Sequence, residues 1–178
     1  SQRYTTWQEA GYLVAFLLFI VVVAAIGMGV RPPRLVDFLA RHMHASTQLP
    51  VRIALLTISD TRGLHDDRSG DLLVERIHDS GHELAARAIE VDDVERIVER
   101  LREWITDPNV DCIVTTGGTG VTGRDVTPEA IAQVVEKDIP GFGELFRWIS
   151  YQQIGTSTIQ SRACAGVANG TYIFALPG

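Results

Sequence analysis

The chain has 178 residues, of which 46% are hydrophobic and 21% charged, and its formal net charge is -6. A length of this order suits one domain or one domain with an appendage, and the apolar content excludes a disordered chain. The acidic balance argues against a nucleic-acid partner, and two cysteines, Cys112 and Cys164, are too few for a disulfide framework or a four-cysteine zinc site.

The N-terminal part reads differently from the rest. From Ala10 to Val30 no residue is charged, and a helix of that length spans roughly 31 Å, close to the ~30 Å hydrocarbon core of a bilayer. Trp7 and Tyr12 lie near one end, while Arg31, Arg34 and Arg41 follow the other. That asymmetry places the C-terminal side in the cytoplasm. Residues 1–30 are therefore expected to be a transmembrane anchor, crossing the membrane through residues 10–30. A cleaved signal peptide has a shorter apolar region, and a buried core helix needs a larger protein around it. A segment foreign to the following domain is also compatible with this pattern. Residues 31–50, opened by Pro32-Pro33, read as a linker, in which His42 and His44 lack further ligands and read as solvent-facing.

Beyond residue 50, strands and helices alternate. The run VRIALLTIS (51–59) suits a strand buried on both faces. Ser69 can cap a helix carrying Leu72, Leu73, Arg76 and Ile77, with Gly81 as its stop. After a second strand over 83–91, Asp92 and Glu95 have the spacing of a capping pair. The helix they open carries an apolar stripe of Val94, Ile97, Val98, Leu101, Trp104 and Ile105. A third strand, 110–116, runs into Gly117-Gly118-Thr119-Gly120. Thr127 and Pro128 then open a helix to about residue 137. Segments 142–153 and 159–167 read as further helices, and 171–176 as a fourth strand. The expected fold is α/β, a three-layer α/β/α domain with a mostly parallel sheet, preceded by the transmembrane helix. In such sheets a ligand sits beyond the carboxyl ends of the strands. The loops at 59–69, 90–93 and 115–127 meet there.

The strongest chemical signal is TTGGTGVTGRDVTPEA (115–130). Glycines directly after a buried strand let the backbone turn sharply, so that its N–H groups form a cradle for phosphate. Thr116 and Thr119 add hydroxyls. Asp125 either braces the turn or, with Mg²⁺ between it and the phosphate, belongs to the site. Gly118, Gly120 and Gly123 imitate the dinucleotide fingerprint, but Pro128 opens the helix too late and no acid ends a following strand at the right distance. Asp60, and Asp92 or Asp93, are the other acids delivered to this edge, each equally readable as a turn or cap residue. Ser161-Arg162, read at a helix start, can hold an anion through amides and guanidinium together. Cys112 lies in a buried strand and reads as core, and Cys164, on the helix expected over 159–167, has no base beside it in sequence.

The segments ALLTISDTR (54–62), TTGGTGVTGRDVTPEA (115–130), IPGFGELFR (139–147), IGTSTIQSRA (154–163) and ALPG (175–178) resemble the MoaB/MogA family of molybdenum-cofactor biosynthesis proteins. The resemblance spans residues 50–178, and GELFRWISYQQIGTST is nearer to the MoaB branch. It implies a molybdopterin-binding domain that, in active members, transfers AMP from ATP to molybdopterin, releases pyrophosphate and uses Mg²⁺. The family's glycine loop falls on Gly117, Gly118, Thr119 and Gly120. Its catalytic and metal-holding acids fall on Asp125 and on Asp92 or Asp93, and Ser59, Asp60 and Ser161 match its binding elements. Because both acids are retained, an adenylyltransferase is expected in preference to a non-catalytic molybdopterin-binding scaffold. The resemblance also implies a homotrimer or hexamer. Since the family continues past its Pro-Gly, residues 51–178 are expected to be such a domain cut short, cytoplasmic and tethered to the inner membrane.

Overall fold

The structure is a computed structural model that describes residues 50–63 and 65–178. Strand β1 (Arg52–Ile58) is buried from Ile53 onward, as its continuous apolar run requires. Helix α1 (Arg68–Asp79) follows, capped by Asp67, whose carboxylate accepts from the Gly70 amide, and not by Ser69. After β2 (Glu83–Glu90), helix α2 (Val94–Thr106) buries Ile97, Val98, Leu101, Trp104 and Ile105, most of the stripe expected. Its cap is Asp93, which accepts from the Arg96 amide, one residue later than the spacing of Asp92 and Glu95 suggests.

Strand β3 (Cys112–Thr116) is wholly buried. Helix α3 (Thr127–Ala132) is much shorter than expected, because the chain turns after it to form the short strand β4 (Lys137–Asp138). Helix α4 (Pro140–Ile154) passes into a 3₁₀ turn, Gly155–Gln160. Two strands close the domain, β5 (Cys164–Ala168) and β6 (Thr171–Leu176). The helix expected over 159–167 is thus replaced by an extended segment and β5. Asn169 and Gly170 both have positive φ and turn β5 back on β6 as a tight hairpin, with Ala168 paired to Thr171.

The sheet order is β2-β1-β3-β6-β5-β4. The pairs β1–β2, β1–β3 and β3–β6 are parallel, whereas β5 pairs antiparallel with both β6 and β4. The expected mostly parallel sheet is therefore corrected to a mixed one, whose antiparallel edge is built by the Asn169-Gly170 hairpin. One face packs Ala54, Leu56, Ile58, Ile113 and Ile173 against α2 and α3. On the other, Phe174 meets Phe142 of α4 edge to face, and Thr57 bonds to the cap of α1. Helices thus cover both faces. Among the described residues no helix is long and apolar enough to cross a membrane, so the fold described is the α/β domain without a preceding transmembrane helix. The run 10–30, and His42 and His44 of the linker, lie outside the described residues.

Candidate functional site

From β1 the chain proceeds to β2 on one side, and β3 lies on the other. The carboxyl ends of β1 and β3 therefore flank a switch point of the sheet, where loops diverge and leave a crevice. Gly117, with φ of 101°, sits against this edge, and a Cβ there would run into the Ile58 carbonyl oxygen. Its amide donates to the Leu176 carbonyl, while the Thr116 hydroxyl donates to that of Pro177. Gly118, with φ of 62°, carries the turn onward. The Thr127 hydroxyl donates to the Gly117 carbonyl and the Thr127 amide to that of Gly118, so the start of α3 fastens the bend from behind. Among the described residues, the Gly118 and Thr119 amides donate to no other group. They are the two donors of the bend left uncommitted.

Asp92 faces this bend. A Cβ on Gly118 would lie 2.5 Å from Asp92 Oδ1, and that oxygen is buried with no hydrogen-bond partner among the described residues. Burial first, then the charges of Asp60 and Asp125, push the Asp92 carboxyl above the ordinary range. Asp93, by contrast, is exposed and occupied as the α2 cap. Of the two adjacent acids, the geometry brings only Asp92 to the glycine bend.

Asp60 links the loops. Its Oδ1 accepts from the Asp92 amide at 3.1 Å, and its Oδ2 pairs with Arg124 at 3.8 Å. The Ser59 hydroxyl oxygen accepts from the Thr61 and Arg62 amides and so shapes the start of that loop. Asp125 is engaged within its own turn. Its Oδ2 accepts from the Thr122 amide at 2.8 Å and the Thr122 hydroxyl at 2.5 Å. The Thr122 hydroxyl above all, with the Thr122 and Gly120 amides, holds the Asp125 carboxyl below the usual carboxylate range.

Two expected binding residues sit differently from the sequence reading. Ser161 and Arg162 lie in an extended segment, not at a helix start, so no row of helix N-terminal amides exists there. The Arg162 guanidinium is already engaged: Nε donates to the Gly120 carbonyl at 2.6 Å, Nη2 to that of Asp125 at 2.5 Å, and Nη1 pairs with Glu129. Cys112 is fully buried in β3, which pushes its thiol far up; Cys164, on β5 and not on a helix, is pushed up to about 11, also by burial first. Neither is a nucleophile at neutral pH. Among the described residues no three acidic, histidine or cysteine side chains are close enough to hold a metal ion by themselves.

The sequence matches the family described as a probable molybdopterin binding domain over residues 54–178, the segment that builds this edge. The chain belongs to the MoaB/MogA family. It is 45% identical to molybdenum cofactor biosynthesis protein B of Escherichia coli K12 over 130 residues, covering 73% of this chain and 76% of that protein. A crystal structure of a molybdenum cofactor biosynthesis protein B superposes with a TM-score of 0.72 at 42% identity, covering 75% of this chain and 83% of the other. The tungsten cofactor synthesizing protein MoaB of Pyrococcus furiosus gives a TM-score of 0.66 at 36% identity, covering 74% and 84%.

In this MoaB/MogA domain several supporting residues escape a sequence reading. Asp67, fully buried, accepts from the Thr57 hydroxyl at 2.7 Å, the Gly70 amide at 2.9 Å and Arg87 at 2.9 Å. The group anchors α1 beneath the loop after β1. Its one local signal is an aspartate three residues before a glycine at a helix start. Glu129 and Arg147, which hold Arg162 and its flanking segment, carry no local signal at all.

Proposed function

We propose that this domain transfers AMP from ATP to molybdopterin at the carboxyl edge of β1 and β3, with release of pyrophosphate. One observation carries the reading: the buried, unpartnered oxygen of Asp92 lies beside a glycine bend whose Gly118 and Thr119 amides are uncommitted. The names of its relatives, which concern molybdenum and tungsten cofactor synthesis, supply the substrate class.

In this reading the Gly118 and Thr119 amides donate to phosphate oxygens of ATP, and Gly117 and Gly118, whose positive φ favours glycine, put no Cβ in the way. An oxygen of the pterin's terminal phosphate attacks the α-phosphorus. The bond from that phosphorus to the bridging oxygen breaks, and pyrophosphate leaves with that oxygen. Such transfers depend on positioning and on neutralising charge more than on covalent help from the protein. Asp92 suits a hard cation, because a half-buried carboxylate near two other acids, with one oxygen unpartnered, is relieved by positive charge. Mg²⁺, when bound, neutralises charge on the phosphate oxygens, and Asp92 with Asp125 would hold it. Asp60 keeps Asp92 in place through its amide.

A second reading, a molybdopterin-binding scaffold without transferase activity, draws support from Asp125, whose carboxylate is engaged by Thr122 and Gly120 within its own turn. Assembly as a homotrimer or hexamer is proposed as well. Trp148, Tyr151 and Ile154 stand exposed at three-residue steps along α4, and Ile159 beyond it is 83% exposed, an apolar strip suited to a second copy. Incubation of the purified chain with molybdopterin, Mg²⁺ and ATP tests the activity. Pyrophosphate released in proportion to adenylylated pterin supports transfer, and pterin binding without release supports the scaffold.

A further inference from the structure

We propose that Arg162 is a positioning residue, the working end of a two-arginine brace that runs from α4 to the glycine loop and presets its shape. The inference rests on the reading of that loop as an anion cradle, and it assigns to Arg162 a role other than touching the anion.

The brace starts at α4. Gly143 lies so close to the extended segment that a Cβ would stand 2.5 Å from the Ala163 carbonyl oxygen and 3.1 Å from Arg147 Nη1. One helical turn on, at the i+4 position where side chains share a face, Arg147 uses that space. Its Nη1 donates to the Ser161 carbonyl at 3.3 Å and to that of Ala163 at 3.4 Å. The Thr158 hydroxyl donates back to the Arg147 carbonyl at 3.2 Å. Residues 161–163 are thereby held in the extended form that presents Arg162 to the loop.

Arg162 then grips the loop at both ends. Its amide donates to the Thr119 carbonyl at 3.0 Å, and Nε and Nη2 donate to the carbonyls of Gly120 and Asp125. With those three carbonyls turned toward Arg162, the tip at 121–124 is pinned across its base. Glu129 of α3 takes Nη1 and orients the planar fork. A guanidinium can satisfy several acceptors at fixed angles, whereas an ammonium cannot. Preset geometry of this kind lowers the ordering cost of binding.

The test uses the whole chain. In ligand-free Arg162→Ala, hydrogen exchange at the Asp125 and Thr127 amides and at the amide of position 162, all bonded within or onto the loop, is expected to quicken roughly tenfold. Affinity for magnesium pyrophosphate weakens by roughly the same factor, KM for ATP rises more than kcat falls, and added guanidinium recovers part of the loss. Arg162→Lys does not recover it. Glu129→Gln, at an exposed position, and Arg147→Ala are expected to change exchange at the same amides in the same direction. Unchanged exchange in all three variants overturns the brace, as does full recovery by lysine. If Arg162→Ala does not fold, the other two variants decide. Failure of the wild-type chain to bind pyrophosphate would overturn the nucleotide reading alone, since the exchange measurement needs no ligand.

Discussion

Asp60 Oδ1 accepts the backbone N–H of Asp92 at 3.1 Å, which ties the loop after β1 to the loop after β2. The contact fixes the Asp92 backbone and at the same time sets a second negative charge near its carboxylate. Asp92 is thus half-buried and crowded by like charge, with its buried Oδ1 lacking a partner, an arrangement that costs stability unless a cation or a proton arrives.

Asp92→Asn is accordingly expected to stabilise the free protein near neutral pH, by on the order of 1 kcal/mol. The sign follows from linkage. A carboxyl whose native pKa is raised holds its proton more tightly when folded. Its contribution is fully present below the unfolded value of about 3.9 and is lost as pH rises through the native value. The advantage of the asparagine variant should therefore vanish in acid. Melting curves across pH check this, and Mg²⁺ with nucleotide should raise the melting temperature of wild type far more than that of the variant.

Gly118→Ala should damage the site twice. The backbone there has φ of 62°, which costs a non-glycine residue about 1–3 kcal/mol, and the new methyl would press on Asp92 Oδ1. Gly81 provides the control, since its φ is 76° but nothing stands within 4 Å of an added Cβ. Both variants should lose stability in urea titrations. Only Gly118→Ala should also lose magnesium-ATP binding.

Asp125→Asn separates chemistry from bracing. Asparagine keeps a carbonyl oxygen for Thr122 but removes the charge. If Asp125 helps hold Mg²⁺, pyrophosphate release should fall by about a hundredfold while pterin binding survives. Undiminished release would leave Asp125 as a turn brace. Its depressed pKa, due first to the Thr122 hydroxyl, adds stability above the unfolded value that is lost as pH falls through the native one.

Asp67→Ala is expected to be the most disruptive of these changes to the fold. Burial pushes the Asp67 carboxyl up, but Arg87, Thr57 and the Gly70 amide more than offset it and leave it lowered. Removing it leaves Arg87 to pair with Asp71 alone, takes the acceptor from the Thr57 hydroxyl and uncaps α1, at a cost of about 3 kcal/mol. Denaturant midpoints check the size of the loss. The wild-type contribution should disappear as pH falls through the native pKa of Asp67.

Much of this molecule is legible in its residues, and the exceptions have physical causes. The strands β1 and β3 announce themselves because both their faces are buried and their sequences are accordingly mostly apolar and β-branched. The stripe from Ile97 to Ile105 reads as helix because only one face of α2 meets the sheet. Residues 164–168 mislead, since a short run of small apolar residues fits either state. The decisive clue, Asn169-Gly170, stands just beyond that run. At the site, the glycine loop is readable from 117–120 alone, but the choice between Asp92 and Asp93 is not. Either can cap α2, and only the fold shows that Gly118 and Asp60, from distant parts of the chain, reach Asp92. The engagement of Arg162 is hidden from the sequence for the same reason: the carbonyls of Gly120 and Asp125, to which it donates, are 42 and 37 positions away.

A crystal structure of the chain with Mg²⁺ and a non-hydrolysable ATP analogue would show whether the Gly118–Thr119 amides and the Asp92 carboxylate together receive a magnesium nucleotide. Phosphate oxygens are expected within hydrogen-bond distance of both amides, and the metal on an Asp92 oxygen. A nucleotide ordered elsewhere, with Asp92 still unpartnered beside an empty bend, would contradict that reading of the site.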